Sequence, residues 1–418
     1  MTNRELFHAT MRGENGGDLY HFEQAFNVPY KTWYKQGLPE HVENVGWAQL
    51  TEYENLYDHF NISGWMMCII DQFCIPKFEA KVLEIKDGRR ITTNVNGNTM
   101  MYIDDSIYYK PDGSVFGSPP KEFDFLIKTP EDYENYRHLY IGNPEKRVNQ
   151  EKLAANAEGV RTQQDFLSAV YVHGPFAFLR EMLGTEQAIV LPYEEPEMIV
   201  RILKDHMETC KETMAPVIKA VRPDCTFVWE DCCGGSGPFV SPAIFDAMYA
   251  PWYLEWKDFV NSMGVKWAIL DTDGDPSPLV TRWYGAGFDC MHPWEVNGGD
   301  MLKFAAEYPD YCMMGGIYKH IFEPAHPSQA GRFRSGDVRE AIDNELKRVV
   351  EPMRKRGKYI PSLDHAIVST ANYPDYIYYC DVMQERYGKA NRVTRTFKRG
   401  FPDGRKPARD ESGKYAVI

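Results

Sequence analysis

The sequence predicts an α/β protein, a (β/α)8 TIM barrel with a β-rich insertion in its N-terminal third. Three observations predict it. From about residue 166 onward, short apolar runs alternate with helical patterns, the rhythm of parallel strands joined by right-handed crossovers. Four of those runs end on acids or histidine: Phe227-Val228-Trp229-Glu230-Asp231, Ala268-Ile269-Leu270-Asp271-Thr272-Asp273, Phe288-Asp289-Cys290-Met291-His292 and Tyr359-Ile360-Pro361-Ser362-Leu363-Asp364-His365. In a barrel the outgoing strand ends converge on one face, where catalytic groups sit. Finally, 418 residues suit one large barrel with insertions.

Taken in order, residues 3–13 form a short amphipathic helix stopped by glycine, and residues 18–26 a first strand ending near Glu23. The stretch from about 30 to 165 is rich in Tyr, Asn, Asp and Pro, with alternating β patterns such as Arg90-Ile91-Thr92-Thr93-Asn94-Val95. It ends at Thr129-Pro130-Glu131-Asp132, an N-cap followed by a first-turn proline. Strands follow at 167–173, 225–231, 265–271, 287–292, 311–317 and 358–364. Helices lie between them, including a long one from Met198 to Ala220 and another over 337–356. The barrel spans 1–390. Residues 391–418 are a basic tail carrying Arg392, Arg395, Lys398, Arg399, Arg405, Lys406 and Arg409.

Composition narrows the function. Hydrophobic residues at 43% and aromatics at 14% supply a large core, which excludes wholesale disorder. A net charge of −13 tells against non-specific nucleic-acid binding. No apolar run is long enough to span a membrane and no signal-peptide core follows the first residues, so a soluble cytoplasmic protein is expected. The nine cysteines are scattered without a CxxC pair, which predicts small buried apolar groups rather than disulfides or a cysteine zinc site.

The strand ends supply the candidate chemistry. Glu230 and Asp231 precede Cys232-Cys233-Gly234-Gly235-Ser236-Gly237, which lacks the spacing of a phosphate loop and reads as a plain βα loop. Asp271-Thr272-Asp273-Gly274-Asp275 begins like a calcium loop, but the twelfth position is Arg282 rather than glutamate. The pair Asp271 and Asp273 therefore suits a metal or a proton transfer. His292 with Glu295, Asp364 with His365, and His173 occupy equivalent strand ends, and Tyr318 with Lys319 follows Gly315-Gly316.

At these residues the chain resembles the uroporphyrinogen decarboxylase superfamily, and within it the branch of corrinoid-dependent methyltransferases. The resemblance runs from Asn3-Arg4-Glu5 to about Arg386. Its most specific pieces are Trp229-Glu230-Asp231 with Gly237-Pro238-Phe239-Val240-Ser241-Pro242, Asp271-Thr272-Asp273-Gly274-Asp275, His292-Pro293-Trp294-Glu295-Val296 and Ile360-Pro361-Ser362-Leu363-Asp364-His365. The decarboxylases' N-terminal Arg-Gln-Ala-Gly-Arg segment is missing, and an acidic rim is a poor host for a polycarboxylate. Where the thiol-methylating relatives keep a zinc-binding His-x-Cys pair and a later cysteine, this chain has Asp271-x-Asp273 and Asp364-His365. Oxygen and imidazole groups make a harder site than thiolates.

The resemblance therefore implies a first methyltransferase of an O-demethylase system. It would move the methyl group of a small methoxylated, aromatic compound to the cob(I)alamin of a corrinoid protein. The implied catalytic residues are Asp271, Asp273, Asp364 and His365. Substrate contacts would come from Glu230, Trp229, Trp294, Glu295, Tyr318 and His173, with the aromatics stacking on a planar donor. Zinc held by Glu230, Asp271 and His292 is one route to activating the ether oxygen; a proton from His365 or an acid is the other. The corrinoid must arrive on a partner, since the chain lacks an Asp-x-His-x-x-Gly motif. The family also makes a homodimer plausible. The alternatives are a quaternary amine or thioether donor, decarboxylation of the uroporphyrinogen type, and a non-catalytic partner of a corrinoid protein.

Overall fold

Each strand expected from residue 167 onward is present in the computed structural model, which describes residues 1–24, 28–42, 54–103, 121–162 and 167–388. The basic tail and residues 25–26 of the expected first strand lie outside the described residues. In chain order the principal elements are α1 (Asn3–Arg12), β1 (Trp65–Ile69), β2 (Lys81–Lys86), β3 (Arg89–Thr93), β4 (Thr99–Ile103), β5 (Lys121–Asp124) and β6 (Leu167–His173). They continue with α2 (Pro175–Leu183), α3 (Pro196–Val221), β7 (Cys225–Trp229), β8 (Cys233–Gly234), β9 (Gly237–Pro238), α4 (Ala250–Ser262) and β10 (Trp267–Asp271). Last come β11 (Cys290–Trp294), β12 (Cys312–Ile317), α5 (Val338–Arg356), β13 (Tyr359–Leu363) and α6 (Tyr373–Tyr387).

The principal sheet has seven strands in chain order, β1-β6-β7-β10-β11-β12-β13. This is the α/β class expected, with seven strands of the principal sheet among the described residues. The described residues divide into two compact units. One comprises Met1–Met67, Gly159–Ser168 and the chain from Cys290 onward; the other comprises Cys68–Glu158 and Ala169–Asp289.

In the first unit, β11, β12 and β13 are parallel and buried along their whole length, as strands covered on both faces must be. The expected first strand is present in reduced form. Phe22 N–H donates to the Pro361 carbonyl at 3.1 Å and Ser63 N–H donates to the His21 carbonyl at 2.8 Å, giving one isolated bridge rather than a ladder. Glu23 anchors this segment: its carboxylate accepts from Tyr379 Oη at 2.6 Å and from Leu363 N–H at 3.1 Å. A bulge interrupts the β11–β12 register between Met291 and Trp294. There Gly315 has φ +113°, and a Cβ would stand 2.6 Å from the Trp294 backbone nitrogen.

In the second unit, β6, β7 and β10 are parallel and in register, so that His173, Trp229 and Asp271 stand side by side at their outgoing ends. Trp256 of α4 donates its indole N–H to Thr226 at 3.1 Å. Thr226 therefore faces the helices, and by the two-residue period Val228 and Glu230 share that face while Phe227 and Trp229 take the other. The β-rich stretch forms an antiparallel sheet, β2-β3-β4-β5. Its first hairpin turns on Asp87-Gly88, both at positive φ, the residue pair a two-residue turn demands. Asn98 Nδ2 to the Glu181 carbonyl at 3.0 Å and Thr185 N–H to Glu122 at 2.8 Å tie it to α2 and to the start of the helix that follows, Thr185–Glu194.

Gly315→Ala places a methyl against backbone that cannot move aside, at a φ that disfavours L side chains. It is expected to destabilise the protein by about 2–4 kcal/mol, read as a drop in the thermal or denaturant midpoint.

Candidate active site

Two acids adjacent in sequence have opposite fates at the end of β7. Glu230 points to the helix side and is fully buried. One oxygen accepts the N–H groups of Phe176 and Ala177 at 3.0 and 3.2 Å, in the first turn of α2, and the other accepts the Tyr253 hydroxyl. Gly174 leaves the room it needs, since a Cβ there would lie 1.8 Å from a Glu230 oxygen. Burial pushes the carboxyl up to about 8, against the pull of Tyr253 and the two amides. Glu230 thus caps α2 and ties β7 to α4 through Tyr253.

Asp231 turns back toward the strand ends, with φ +47°, a left-handed conformation that Asp tolerates better than most residues. It accepts from the Arg180 guanidinium at 3.2 and 3.3 Å. Arg180 also lies over the Trp229 ring, with its guanidinium carbon 4.9 Å from the centroid. The His173 ring meets Trp229 nearly at right angles, 5.0 Å between centroids. Burial first, and then the charge of Arg180, push the His173 imidazole down to about 3, so it stands neutral. Below this layer Tyr171 stacks on Phe227 at 6.2 Å.

Asp271 ends β10 beside Trp229 and is 4% exposed. Burial, then the charges of Asp273 and Asp231, raise its carboxyl well above the usual carboxylate range. The loop behind it is fixed by backbone. Cys232 N–H donates to Thr272 Oγ1 at 3.0 Å, Asp275 N–H donates to the Gly234 carbonyl at 2.9 Å, and a Cβ on Gly274 would strike that carbonyl at 2.6 Å. The glycine cluster itself folds into the small β8–β9 hairpin. The second unit therefore gathers Trp229, His173, Asp231, Asp271 and Asp273 and adds Arg180 and Tyr171, which sequence reasoning did not single out as site residues. Arg180 carried no signal of its own. It lies six residues beyond Gly174, on a helix that is otherwise almost wholly buried, and a single basic residue in such a helix has no pattern that marks it as a site residue.

The other candidates belong to the first unit. Asp364 is 1% exposed, and its two oxygens accept the N–H groups of Val296 and Lys319 at 3.0 and 2.8 Å. Burial raises this carboxyl despite Lys319 and both amides. It clamps two strand-end loops together. Glu295 pairs with Lys319 at 2.9 Å. Tyr318 is buried, donates to Gln329 at 3.0 Å and lies under Arg332, 3.6 Å from its centroid. Trp294 is buried and its indole donates to the Gly299 carbonyl at 3.3 Å, so it is packed rather than offered to a ligand. His292 is buried with its ring 5.8 Å from Phe22, and His365 is half-buried.

The zinc expectation does not fit these residues. Both Glu230 oxygens are taken by protein donors, and among the described residues no group of three or more His, Cys, Asp or Glu side chains is arranged to hold a metal ion. All nine cysteines are free and buried, as anticipated.

Fold and site together define an α/β protein of parallel strands whose chemical groups crowd the outgoing strand ends. Among solved structures, the chain is similar in fold to a methyltransferase from Methanosarcina mazei, at a TM-score of 0.58 and 12% identity over 93% of this chain and 100% of that one. A sugar phosphate isomerase/epimerase from Parabacteroides distasonis (TM-score 0.27, 11% identity, 62% of this chain and 97% of that one) is too distant to inform the fold. The same holds for the probable 3-DHS dehydratase AsbF from Bacillus anthracis (TM-score 0.23, 12% identity, 58% and 96%). No family model and no curated protein matches the sequence. Among the described residues no helix is long and apolar enough to cross a membrane.

Two outcomes follow for the supporting acids. Unfolded, Glu230 releases its proton near its ordinary value of 4.5, but folded it keeps it to about 8. The folded chain then binds more protons in that window, so this residue's contribution to stability declines as pH rises from 4.5 to about 8. Glu230→Gln should remove that slope, which denaturant midpoints measured across the window will show as a wild type and variant that diverge with pH. Asp364→Ala strands two buried amides and should cost about 2–5 kcal/mol by chemical denaturation, while Asp364→Asn, which keeps one acceptor, should cost less.

Proposed function

We propose that this protein is a methyltransferase that takes the methyl group of a small methoxylated aromatic compound and passes it to the cobalt(I) of a corrinoid carried by a partner protein. The observation that carries the proposal is Asp271, a buried strand-end carboxyl beside Trp229 whose pKa is raised by burial and by the charges of Asp273 and Asp231. The fold likeness to a methyltransferase across 93% of the chain supports it. So does the resemblance of the strand-end motifs to corrinoid-dependent relatives.

The chemical need is specific. A phenolate leaves an ether poorly, so the oxygen must gain a proton as its bond to the methyl carbon breaks. The corrinoid, when its partner brings it, supplies the electron pair that forms the new bond to carbon. This chain supplies everything else. Trp229, with Tyr171 and neutral His173 near it, offers aromatic surface for a planar ring. Asp271 gives its proton to the departing oxygen, so that the phenol leaves neutral. The carboxylate left behind is repelled by Asp273 and Asp231 and is driven to take a fresh proton from water. Each turnover then consumes one proton, and the acid ends as it began.

A cationic donor is less well served. Arg180 already occupies the position over Trp229 that a quaternary ammonium would seek.

With free cob(I)alamin and a panel of methoxybenzenes, the wild type should yield the phenol and methylcobalamin, followed by absorbance and chromatography. A panel that yields neither product overturns the aromatic-ether reading. Asp271→Asn keeps the shape but cannot give up a proton, and should lower the transfer rate about 10²–10⁴-fold; a rate within twofold of wild type would remove Asp271 from the role of acid.

A further inference from the structure

Trp229 is the one site aromatic that carries a charged group on its ring among the described contacts of its unit's strand ends. The Arg180 guanidinium carbon is 4.9 Å from the ring centroid. Its hold on Asp231 is loose by comparison with other pairs in the same unit. Arg180 reaches Asp231 at 3.2 and 3.3 Å, whereas Arg137 grips Asp205 at 2.6 and 2.7 Å. Close charge-assisted bonds run at about 2.7–2.9 Å. The guanidinium is therefore placed as much by the indole as by the carboxylate. Its side chain is 19% exposed, and Glu181 lies 3.8 Å away.

A cation over an indole is attracted by the negative face of the ring quadrupole, and it draws π density toward itself in return. The ring that results is poorer in electrons than a bare indole. Such a ring stacks best with a partner rich in electrons. Methoxy groups donate into an arene, whereas nitro or fluoro groups withdraw from it. The neutral state of His173 keeps a second cation away from the same ring.

We propose that Arg180 is a specificity-determining residue, which by loading Trp229 with positive charge makes the site select electron-rich methoxyarenes over electron-poor arenes of similar size. This rests on the aromatic-donor reading above and names the subclass of donor within it. Arg180 acts here through Trp229 and Asp231, as a positioning and polarising group that takes no part in bond breaking.

The test is a binding comparison that needs no turnover. Calorimetry would measure the affinities of 4-methoxyanisole and 4-nitroanisole for the full-length wild type, Arg180→Gln and Arg180→Lys. Stacking differences of this kind correspond to about two- to tenfold in affinity. The wild type should prefer the methoxy compound by about fivefold. Arg180→Gln should bring the two affinities to within a factor of about two, and Arg180→Lys, which keeps a cation over the ring, should restore most of the preference. A purely structural role for Arg180 would weaken both ligands alike and leave their ratio unchanged. A preference retained in Arg180→Gln, or absent from a wild type that binds both, overturns the inference and leaves the aromatic-donor reading standing. Failure of the wild type to bind any anisole overturns the aromatic-donor reading, and the selectivity with it.

Discussion

The buried carboxyl of Glu230 is the contact on which the second unit's site depends. It meets the first turn of α2 through two backbone amides and α4 through Tyr253, and it lies at the end of β7. It therefore fixes the helix that carries Arg180 against the strand that carries Trp229. Gly174 is the concession the chain makes to it, since any side chain there would collide with the carboxyl. A group so thoroughly engaged cannot also ligate an ion or meet a substrate. Its burial holds it largely in the neutral form at ordinary pH, which spares the interior an uncompensated charge.

With Glu230 removed from the site, the remaining acids divide by environment. Asp231 keeps its charge company with Arg180 and remains partly open to water. Asp271 is sealed, and it has carboxylate neighbours in Asp273 and Asp231. Burial and like charge act in the same direction on it, toward the protonated form. One strand-end acid is thus paired with a cation, and the next is pushed toward its protonated form. That separation of roles between nearby carboxyls is what acid catalysis of a poor leaving group requires.

Much of this was legible in the sequence. Strands bounded by turn residues fell within two or three residues of their expected limits: 167–173 is Leu167–His173, and 311–317 is Cys312–Ile317. Buried parallel strands write themselves as unbroken apolar runs. The same property hides which face is which. A strand covered on both sides has no polar alternation, so nothing in Phe227-Val228-Trp229-Glu230-Asp231 says that Glu230 turns to the helices. Only the contact between Trp256 and Thr226 settles the phase. The clamp that Asp364 makes was hidden for the same reason: a strand-end acid that joins two loops has the same local sequence as any other. Between β6 and the long helix expected from Met198 to Ala220, which runs Pro196–Val221, lie two shorter helices, Pro175–Leu183 and Thr185–Glu194.

The phase of β7 also explains why neighbouring residues of one motif take different duties. Trp229 and Asp231 share the face that bears the row His173, Trp229 and Asp271, while Glu230 alone faces away. Substituting any one of the three disturbs a different layer: the aromatic surface, the helix tie or the ion pair with Arg180. Asp231 needs its left-handed backbone to bring its carboxylate back to Arg180 once Glu230 has drawn the chain outward. The conformational cost there is modest for an aspartate. It is offset by an ion pair that would not form in extended backbone, where the next side chain would leave the strand end. A tie on one face and a charge on the other are thus two results of a single turn of chain, and the site's electrostatics follow from the same geometry that holds its elements together.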